Sequence, residues 1–336
     1  MQSVRGLSDA SQLKKVQRLL GGRRASVGSL SESVRVFDPQ HLGIIFEQML
    51  EASTSVTGAG PRRNIPHSIP DQLLERIRVV DGSALRALPQ IVHAMSTDAG
   101  GKWRLHLQFE PLAGTPEHVE LRPDETGGDD DERAVLAASL VAKKVYVGDR
   151  GYYKYQLFND IVDAKSDYVI RAQDWPCEVL ETRMIDDEAA KARVTSDEIV
   201  QCRPSGSNPL NHTVRRIVIA GRSQGRVRTD RKNSGDIILL TSLTNVPAYV
   251  IAAIYELRWS IELFFRWLKH LLGCQQLISH KAEGIGIQVY VALIAALILA
   301  GQTGGTVGKR AFNLICMYLQ GRADDDELQA GLNAIC

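Results

Sequence analysis

The sequence predicts an α/β protein in which one mixed β-sheet is flanked by helices. Short runs rich in β-branched and aromatic residues are followed by stretches with helical periodicity across residues 76–171. A strongly amphipathic helix is predicted further along, at residues 254–272. With 336 residues, of which 44% are hydrophobic and 24% are charged, the chain has the composition of a globular protein with a substantial core.

The predicted elements follow one another in a regular order. Strands are expected at residues 76–80, 102–110 and 118–121, because each run is short and rich in apolar or β-branched residues. A helix near residues 132–142, a strand at 145–147, a helix near 155–164 and a strand at 168–171 come next. The order is therefore three strands, then helix, strand, helix and strand, and finally the amphipathic helix.

A second β-rich segment lies between the last of these strands and the amphipathic helix. Its runs CEVLETRMI, TVRRIVIAG and DIILLTSL alternate in polarity or are rich in β-branched residues. We interpret residues 172–244 as a β-rich insertion between the fifth strand and that helix. A strand at residues 236–242 is expected to return the chain to the core.

Two aspartates follow predicted strands. Asp81 comes directly after an apolar run and begins the sequence DGS, so we expect a turn that ends the strand there. Asp149 stands at the carboxyl edge of strand 145–147, in the sequence DRGY. Ligands bind at the carboxyl ends of strands in open α/β sheets, which makes both residues candidates for a site. The alternative is that each is an ordinary turn aspartate.

The amphipathic helix carries a polar stripe on the face opposite its apolar residues. The stripe consists of Tyr255, Arg258, Glu262 and Lys269. Arginine forks onto phosphate oxygens, lysine adds a point charge, and glutamate can hold a divalent cation. The alternative is a solvated ladder of salt bridges, because Arg258 and Arg266 stand four residues before and after Glu262.

The spacing Tyr-x2-Arg-x3-Glu-x6-Lys at residues 255–269 resembles the YREK signature of cut-and-paste bacterial insertion-sequence transposases of the DDE type. The DGS context of Asp81 and the DRGY context of Asp149 resemble those around the first and second aspartates of the same family, whose third acid is the Glu of the signature. The order of the predicted elements is similar to that of the RNase H-like fold. The resemblance covers residues 71–300 and implies that Asp81, Asp149 and Glu262 form one catalytic site in an RNase H-like core.

The resemblance implies metal-dependent chemistry on DNA. Three carboxylates brought together repel one another, and divalent cations remove that cost. Two Mg²⁺ (or Mn²⁺) ions about 3.5–4 Å apart can stabilise both the attacking and the leaving oxygen of a displacement at phosphorus. The implied reactions are hydrolysis of DNA at the transposon ends and attack of the freed 3′-hydroxyl on target DNA. No Cys or His pair has the spacing of a zinc site.

The same resemblance implies roles for further residues. Tyr255, Arg258 and Lys269 are expected to contact DNA phosphates near the cleaved end. Trp175 stands at the start of the insertion and is a candidate to stack on a base flipped out of the duplex. The alternative for Trp175 is a tryptophan packed within a strand.

Charge and cysteine content bear on partners and compartment. The net charge is only +1, but residues 203–232 hold eight Lys or Arg and a single acid, which predicts either a phosphate-binding surface or a solvated loop. The resemblance implies two partners: double-stranded DNA, as terminal inverted repeats and target, and a second copy of the chain in a homodimer. Five scattered cysteines predict reduced thiols in a cytoplasm, and the resemblance implies a bacterial, nucleoid-associated protein. The apolar run at residues 285–300 is too short for a membrane span, so we expect a buried helix and no membrane contact.

The predicted organisation has four parts. Residues 1–65 form a helical arm, with helices at 13–20 and 40–50, which is short for a region that binds transposon ends. Residues 66–171 and 245–320 form the catalytic core, residues 172–244 the insertion and residues 321–336 a C-terminal tail. We therefore expect a DNA transposase. Two alternatives remain open: a truncated, catalytically silent remnant that binds DNA, and an RNase H-like nuclease that cuts strands without joining them.

Overall fold

The computed structural model describes residues 37–56, 65–87, 102–123, 130–173, 177–202, 209–221, 235–270, 276–277, 282–303, 309–319 and 322–333, together with Ser26 and Ser29. The strands are β1 (Ile77–Ala87), β2 (Lys102–Glu110), β3 (Thr115–Pro123), β4 (Val145–Gly148), β5 (Asp167–Ala172), β6 (Cys177–Thr182), β7 (Val194–Cys202), β8 (Val214–Ile219), β9 (Ile237–Thr241) and β10 (Gln276–Leu277). The helices are α1 (Gln40–Val56), α2 (Asp71–Leu74), α3 (Asp130–Ala138), α4 (Tyr155–Asp163), α5 (Asp187–Lys191), α6 (Ala248–Glu256), α7 (Arg258–His270), α8 (Ala282–Thr303), α9 (Lys309–Leu319) and α10 (Asp325–Asn333). A 3-10 helix, Arg150–Tyr152, follows β4.

The described strands form one mixed sheet. Its order is β3-β2-β1-β4-β5-β9-β8-β7-β6, and β10 pairs with the end of β1. Strand β4 runs parallel to both β1 and β5, and β10 runs parallel to β1. The other neighbouring strands are antiparallel. The mixed α/β fold predicted from the sequence is therefore confirmed.

The central strands are buried because helices cover both faces of the sheet. Val145 and Val147 of β4 belong to a core that also contains apolar residues of α6, α7 and α8. Tyr146, which stands between them, belongs to a second core with apolar residues of α4. Every residue of β4 is buried, as is typical of a parallel strand between two helical layers. The strand that leads to Asp149 is thus held at the centre of the fold.

Strand β1 is longer than the sequence predicted. The expected turn at Asp81 is wrong, because antiparallel pairing with β2 continues from Val79 to Arg86. An Asp-Gly pair favours a turn only where no neighbouring strand supplies hydrogen-bond partners. Here Gly82 lies within the strand, and a Cβ built on it would lie 2.5 Å from Glu132 Oε1. The glycine therefore serves a close approach between β1 and α3.

The helix predicted at residues 254–272 is broken at Leu257. Helix α6 ends at Glu256 and α7 begins at Arg258. The Leu257 carbonyl accepts the backbone N–H of Ser260 over 2.9 Å and its hydroxyl over 2.6 Å. This tightened turn diverts the carbonyl from a regular helical bond, which is how Ser side chains distort helices. Tyr255 and Glu262 therefore lie on consecutive helices and not on one.

Four strands, β6 to β9, come from the segment that the sequence analysis interpreted as an insertion. The three runs singled out there contain β6, β8 and β9, whereas β7 (Val194–Cys202) was not predicted. Strand β9 pairs with both β5 and β8, so the central sheet continues into this segment without interruption.

The C-terminal part of the described chain contains helices where a tail was predicted. Helix α10 lies within residues 321–336 and packs against α9. Asp324 accepts the Glu327 N–H over 2.8 Å, and Glu327 accepts the Asp324 N–H over 2.9 Å. This reciprocal pair is a capping box, a local start signal that the prediction overlooked.

The apolar run at residues 285–300 lies within the long helix α8, which packs against α1 and α7. Within the described ranges, no helix is both long enough and apolar enough to cross a membrane. Helix α1 covers the predicted helix at 40–50 and extends to Val56, while the predicted helix at 13–20 lies outside the described residues.

Two of the scattered cysteines face each other across neighbouring strands. Cys177 of β6 and Cys202 of β7 are register partners, and their sulfur atoms lie 3.1 Å apart as free thiols. Their separation along the chain gave no sign of this contact, because it depends on the pairing register of β6 and β7.

Candidate active site

The register of the parallel strands places Asp81 and Asp149 side by side. Val79 of β1 is the partner of Val147 of β4, and each aspartate stands two residues beyond its valine. Because β1 and β4 run in the same direction, both carboxylates lie beside the carboxyl end of β4. The sequence predicted that Asp149 follows the end of its strand, whereas Asp81 lies within β1, and the alignment of the two positions comes from the strand pairing.

The surroundings of Asp81 disfavour the ionised form of its carboxyl group. Burial is the main cause and the charge of Asp149 the next, and together they raise the pKa of Asp81 to about 7. Glu132 adds to the effect, while Arg258 and a hydrogen bond from the Gly82 N–H, 2.9 Å from Asp81 Oδ1, oppose it. A nearby positive charge would therefore stabilise the ionised carboxylate of Asp81.

Asp149 is oriented by the short helix that follows it. Its Oδ1 accepts the Gly151 N–H over 2.7 Å, which caps the 3-10 helix Arg150–Tyr152. The residue adopts extended backbone angles, with φ of −82° and ψ of −170°, as is usual for a cap. The second carboxylate is thus fixed by the turn that ends its own strand.

Arg258 links the third candidate acid to the two aspartates. Its Nη1 donates to Glu262 Oε1 over 2.5 Å, and its guanidinium lies 5.7 Å from the centre of the Tyr255 ring. The positive charge of Arg258 lowers the pKa of Asp81, and Asp149 is among the groups that raise the pKa of Arg258. Its buried Nε atom has no hydrogen-bond partner among the described residues. An arginine with a spare buried donor suits an anionic ligand.

The three candidate acids are not gathered into one cluster. Across the described ranges, no three His, Cys, Asp or Glu side chains are arranged to hold a metal ion. In the structure, Asp81 and Asp149 lie together. Glu262 is hydrogen-bonded to Arg258, whose charge interacts with both aspartates. The expected convergence of the three acids on one point therefore stays a prediction.

Two of the predicted site residues remain, Lys269 and Trp175. Lys269 is half-buried on α7, about two helical turns beyond Glu262. Trp175 lies outside the described residues, as do most of residues 203–232.

The basic segment contains two residues that are already neutralised. Arg215 of β8 forms a buried salt bridge with Asp197 of β7 at 2.7 Å, and Arg216 pairs with Glu198 at 2.6 Å. Arg215 and Arg216 therefore belong neither to a phosphate-binding surface nor to a solvated loop, because the neighbouring strand β7 supplies an acid for each.

Sequence reasoning missed Glu132 and Arg104. Glu132 of α3 is buried and forms a salt bridge with Arg104 of β2, and its carboxylate also lies against Gly82 beside Asp81. The helix itself was predicted, but no local pattern marks one of its acids as part of a site. Only the packing of α3 against β1 shows it.

The donor set suits a hard divalent cation. Asp81 and Asp149 offer carboxylate oxygens, the ligands that Mg²⁺ and Mn²⁺ prefer. A buried aspartate beside another aspartate is stabilised in its charged form by such an ion. The neighbouring Arg258 has a spare donor for a phosphate oxygen. The arrangement therefore fits metal-assisted chemistry on a phosphate ester.

The pKa of Asp81 predicts that the metal-free protein loses stability as the pH rises from about 4 to about 7. The folded state favours protonated Asp81, so its contribution is fully present below the unfolded pKa of 3.8 and is lost as the pH passes through the folded value of about 7. The loss is at most about 4 kcal/mol in the free energy of unfolding. Urea unfolding in EDTA at about pH 4 and about pH 8 measures it.

Asp81→Asn should reduce this decline, because asparagine does not titrate. Glu178→Gln, at an exposed position on β6, is the control and should leave the decline unchanged. An equal decline in wild type and Asp81→Asn would show that Asp81 is not its source.

Comparison with known proteins points to one family. The model of a family described as "Transposase DDE domain" matches residues 72–298. A protein of Sinorhizobium fredii named as a transposase is 26% identical over 198 residues, covering 58% of this chain and 52% of its own. A protein of Geobacillus stearothermophilus, named as a transposase for an insertion sequence element, is 28% identical over 198 residues, covering 58% and 48%. The chain thus spans about half the length of these two relatives.

Two further similarities were found. The transposase for insertion sequence element IS421 of Escherichia coli is 26% identical over 290 residues, covering 76% of this chain and 70% of its own. A cryo-EM structure of the piggyBac transposase synaptic complex with hairpin DNA covers 77% of this chain and 57% of that chain, with 9% sequence identity and a TM-score of 0.35. This score is too low to establish a common fold.

Proposed function

The chain belongs to the transposase DDE domain family, and from that premise we propose that it is a DNA transposase acting at the ends of an insertion sequence. The observation that carries the proposal is the register match of β1 and β4, which sets Asp81 beside Asp149 within the matched residues. The family implies dependence on a divalent metal ion, and the paired carboxylates are the ligands such an ion prefers.

We assign Asp81, Asp149 and Glu262 as the metal-binding acids of an RNase H-like core. Two Mg²⁺ or Mn²⁺ ions, when bound, would activate the attacking oxygen and stabilise the leaving oxygen at phosphorus. Asp81 and Asp149 provide a fixed pair of carboxylates beside the carboxyl end of β4, each held by a backbone N–H. Arg258 orients the Glu262 carboxylate through their hydrogen bond.

We assign the DNA-phosphate contacts to Tyr255, Arg258 and Lys269, the other members of the YREK spacing. The spare Nε donor of Arg258 supports this role, since a phosphate oxygen would satisfy it. The ring of Tyr255 lies against the guanidinium and helps to hold it in place. Trp175, in the segment that follows β5, is proposed to stack on a flipped base.

The proposed reaction has two balanced steps. In the first, water attacks a phosphodiester at the transposon end, the bond from phosphorus to the 3′-oxygen breaks, and a 3′-hydroxyl and a 5′-phosphate result. In the second, that 3′-hydroxyl attacks a phosphodiester of target DNA and releases a target 3′-hydroxyl. The arginine and lysine donors neutralise the charge that develops on the phosphate oxygens in both steps.

A cleavage assay tests this function. The purified chain is incubated with Mg²⁺ and duplex DNA that carries the inverted repeats flanking its own gene, and labelled products are separated on a denaturing gel. We expect cuts at the repeat ends and, with added target DNA, joined products. Salt-dependent binding without cleavage would indicate a silent DNA-binding remnant, and cleavage without joining would indicate a nuclease.

We also propose that the active species is a homodimer that pairs two transposon ends on the bacterial nucleoid. Strand transfer of two ends into one target requires two active sites close together. Light scattering of the chain with and without repeat-end DNA measures the number of copies in the complex.

A further inference from the structure

Glu132 lies between the two segments that carry the candidate aspartates. It stands in the first turn of α3 and is 9% exposed. A Cβ built on Gly82 would lie 2.5 Å from its Oε1, and one built on Gly151 would lie 3.6 Å from its Oε2. One carboxylate therefore occupies the space beside Gly82, the residue after Asp81, and lies near Gly151, two residues after Asp149.

The two glycines are the same residues that hold the aspartates. The Gly82 N–H donates to Asp81 Oδ1 over 2.9 Å, and the Gly151 N–H donates to Asp149 Oδ1 over 2.7 Å. A shift of either peptide unit would move the carboxylate bonded to it. The Glu132 side chain, which lies beside both glycines, is therefore placed to limit such shifts.

Two arginines complete this contact. Arg104 of β2 forms a salt bridge with Glu132, which offsets part of the negative charge that Glu132 adds beside Asp81. Arg133, the next residue of α3, donates from Nη1 to the Gly151 carbonyl over 3.0 Å. Helix α3 therefore contacts Gly151 through two consecutive side chains.

We propose that Glu132, neutralised by Arg104, is a positioning residue that sets the separation of Asp81 and Asp149 and thereby the affinity of the site for a divalent cation. The inference rests on the proposed function, in which Asp81 and Asp149 hold the ion, and it does not make Glu132 a ligand. Residues that orient metal ligands from outside the coordination sphere typically contribute about 10–100-fold to metal affinity.

The test uses the full chain with Mn²⁺ alone as the probe. The EPR signal of free Mn²⁺ gives the binding curve of the DNA-free protein, and cleavage of repeat-end DNA gives the half-saturating Mn²⁺ concentration. In Glu132→Ala we expect both to move to Mn²⁺ concentrations about 10–100-fold higher, with a much smaller change in the rate at saturating Mn²⁺. Unchanged binding in a folded variant would overturn the proposal.

Glu117 offers a matched control. It is half-buried and, like Glu132, forms a salt bridge with an arginine, Arg78 at the start of β1. Glu117→Ala should lower the Tm without moving the Mn²⁺ binding curve. If it moves that curve as far as Glu132→Ala does, the effect is a general loss of stability and the proposal fails.

A second variant changes the glycine partner of Glu132 instead of Glu132 itself. Gly82→Ala places a methyl group 2.5 Å from Glu132 Oε1, too close for both to stay, so it should weaken Mn²⁺ binding in the wild-type background. The same change should have a smaller effect in the Glu132→Ala background, where the space is free. Equal effects in the two backgrounds would contradict a role through Glu132.

The outcomes also separate this inference from the function on which it rests. If the wild-type chain neither binds Mn²⁺ nor cleaves repeat-end DNA, the proposed function fails and the inference fails with it. If the wild-type chain does both while the Glu132→Ala curves match it, only the positioning role is overturned.

Discussion

Asp149→Asn is expected to abolish DNA cleavage while leaving the fold intact. Asparagine keeps the side-chain oxygen that accepts the Gly151 N–H, so the cap of the 3-10 helix survives. The negative charge that would bind the metal ion is lost. Metal ions contribute several kcal/mol to such reactions and ~1.4 kcal/mol corresponds to tenfold, so we expect a rate loss of about 10³-fold or more.

The measurement is the initial rate of cleavage of repeat-end DNA in Mg²⁺, with circular dichroism and Tm as checks on folding. Asp186→Asn is the matched control, because Asp186 caps α5 through the Ala189 N–H in the same way. The control should retain wild-type cleavage. Glu262→Gln, which can still accept from Arg258, is expected to behave like Asp149→Asn. Full cleavage by either variant would reject the assigned acids.

Arg215→Met is expected to lower the free energy of unfolding by about 3–5 kcal/mol. Arg215 and Asp197 are 3% and 4% exposed, so the substitution leaves a buried carboxylate without its partner. Arg215 also donates to the carbonyls of Leu243 and Val246, which connect β9 to α6. The loss of Arg215 therefore removes hydrogen bonds that hold the segment leading into α6 and α7, the helices that carry Tyr255 and Glu262.

Urea unfolding measures the effect, and the same strand supplies the control. Arg216→Met removes a more exposed pair with Glu198 and should cost about 0–1 kcal/mol. The double variant Asp197→Leu/Arg215→Met leaves no unpaired charge, so it should be more stable than Arg215→Met alone. A cost for Arg215→Met no greater than that for Arg216→Met would show that the buried pair does not hold this connection.

Several elements were predictable because their signals are local. Strand β2 was predicted with its observed bounds, and β4, β5 and α4 were each predicted to within one residue at either end. A run of β-branched residues or a helical period is complete within a few positions, so no distant contact is needed to recognise it. The same holds for the spacing from Tyr255 to Lys269, which is a property of the sequence itself.

Other features were not predicted correctly, mainly because residues distant in the chain determine them. The Asp-Gly pair at residue 81 reads as a turn, yet β2 supplies the hydrogen bonds that keep it in a strand. The break at Leu257 depends on how Ser260 shares a carbonyl. By contrast with that local interaction of Ser260, the pairing of Arg215 with Asp197 depends on the register of β7 and β8, so a segment rich in basic residues does not expose all of them.

By itself, the sequence determined the α/β class and the order of its central elements, and it predicts the acids that a DDE site would use. The tertiary structure alone decided which groups meet. The register of β1 with β4 sets Asp81 beside Asp149, Arg258 bonds Glu262, and Glu132 packs against the glycines that hold both aspartates. The physical reason is that periodicity and turn chemistry act over a few residues, whereas these contacts join parts of the chain that only strand pairing and helix packing bring together.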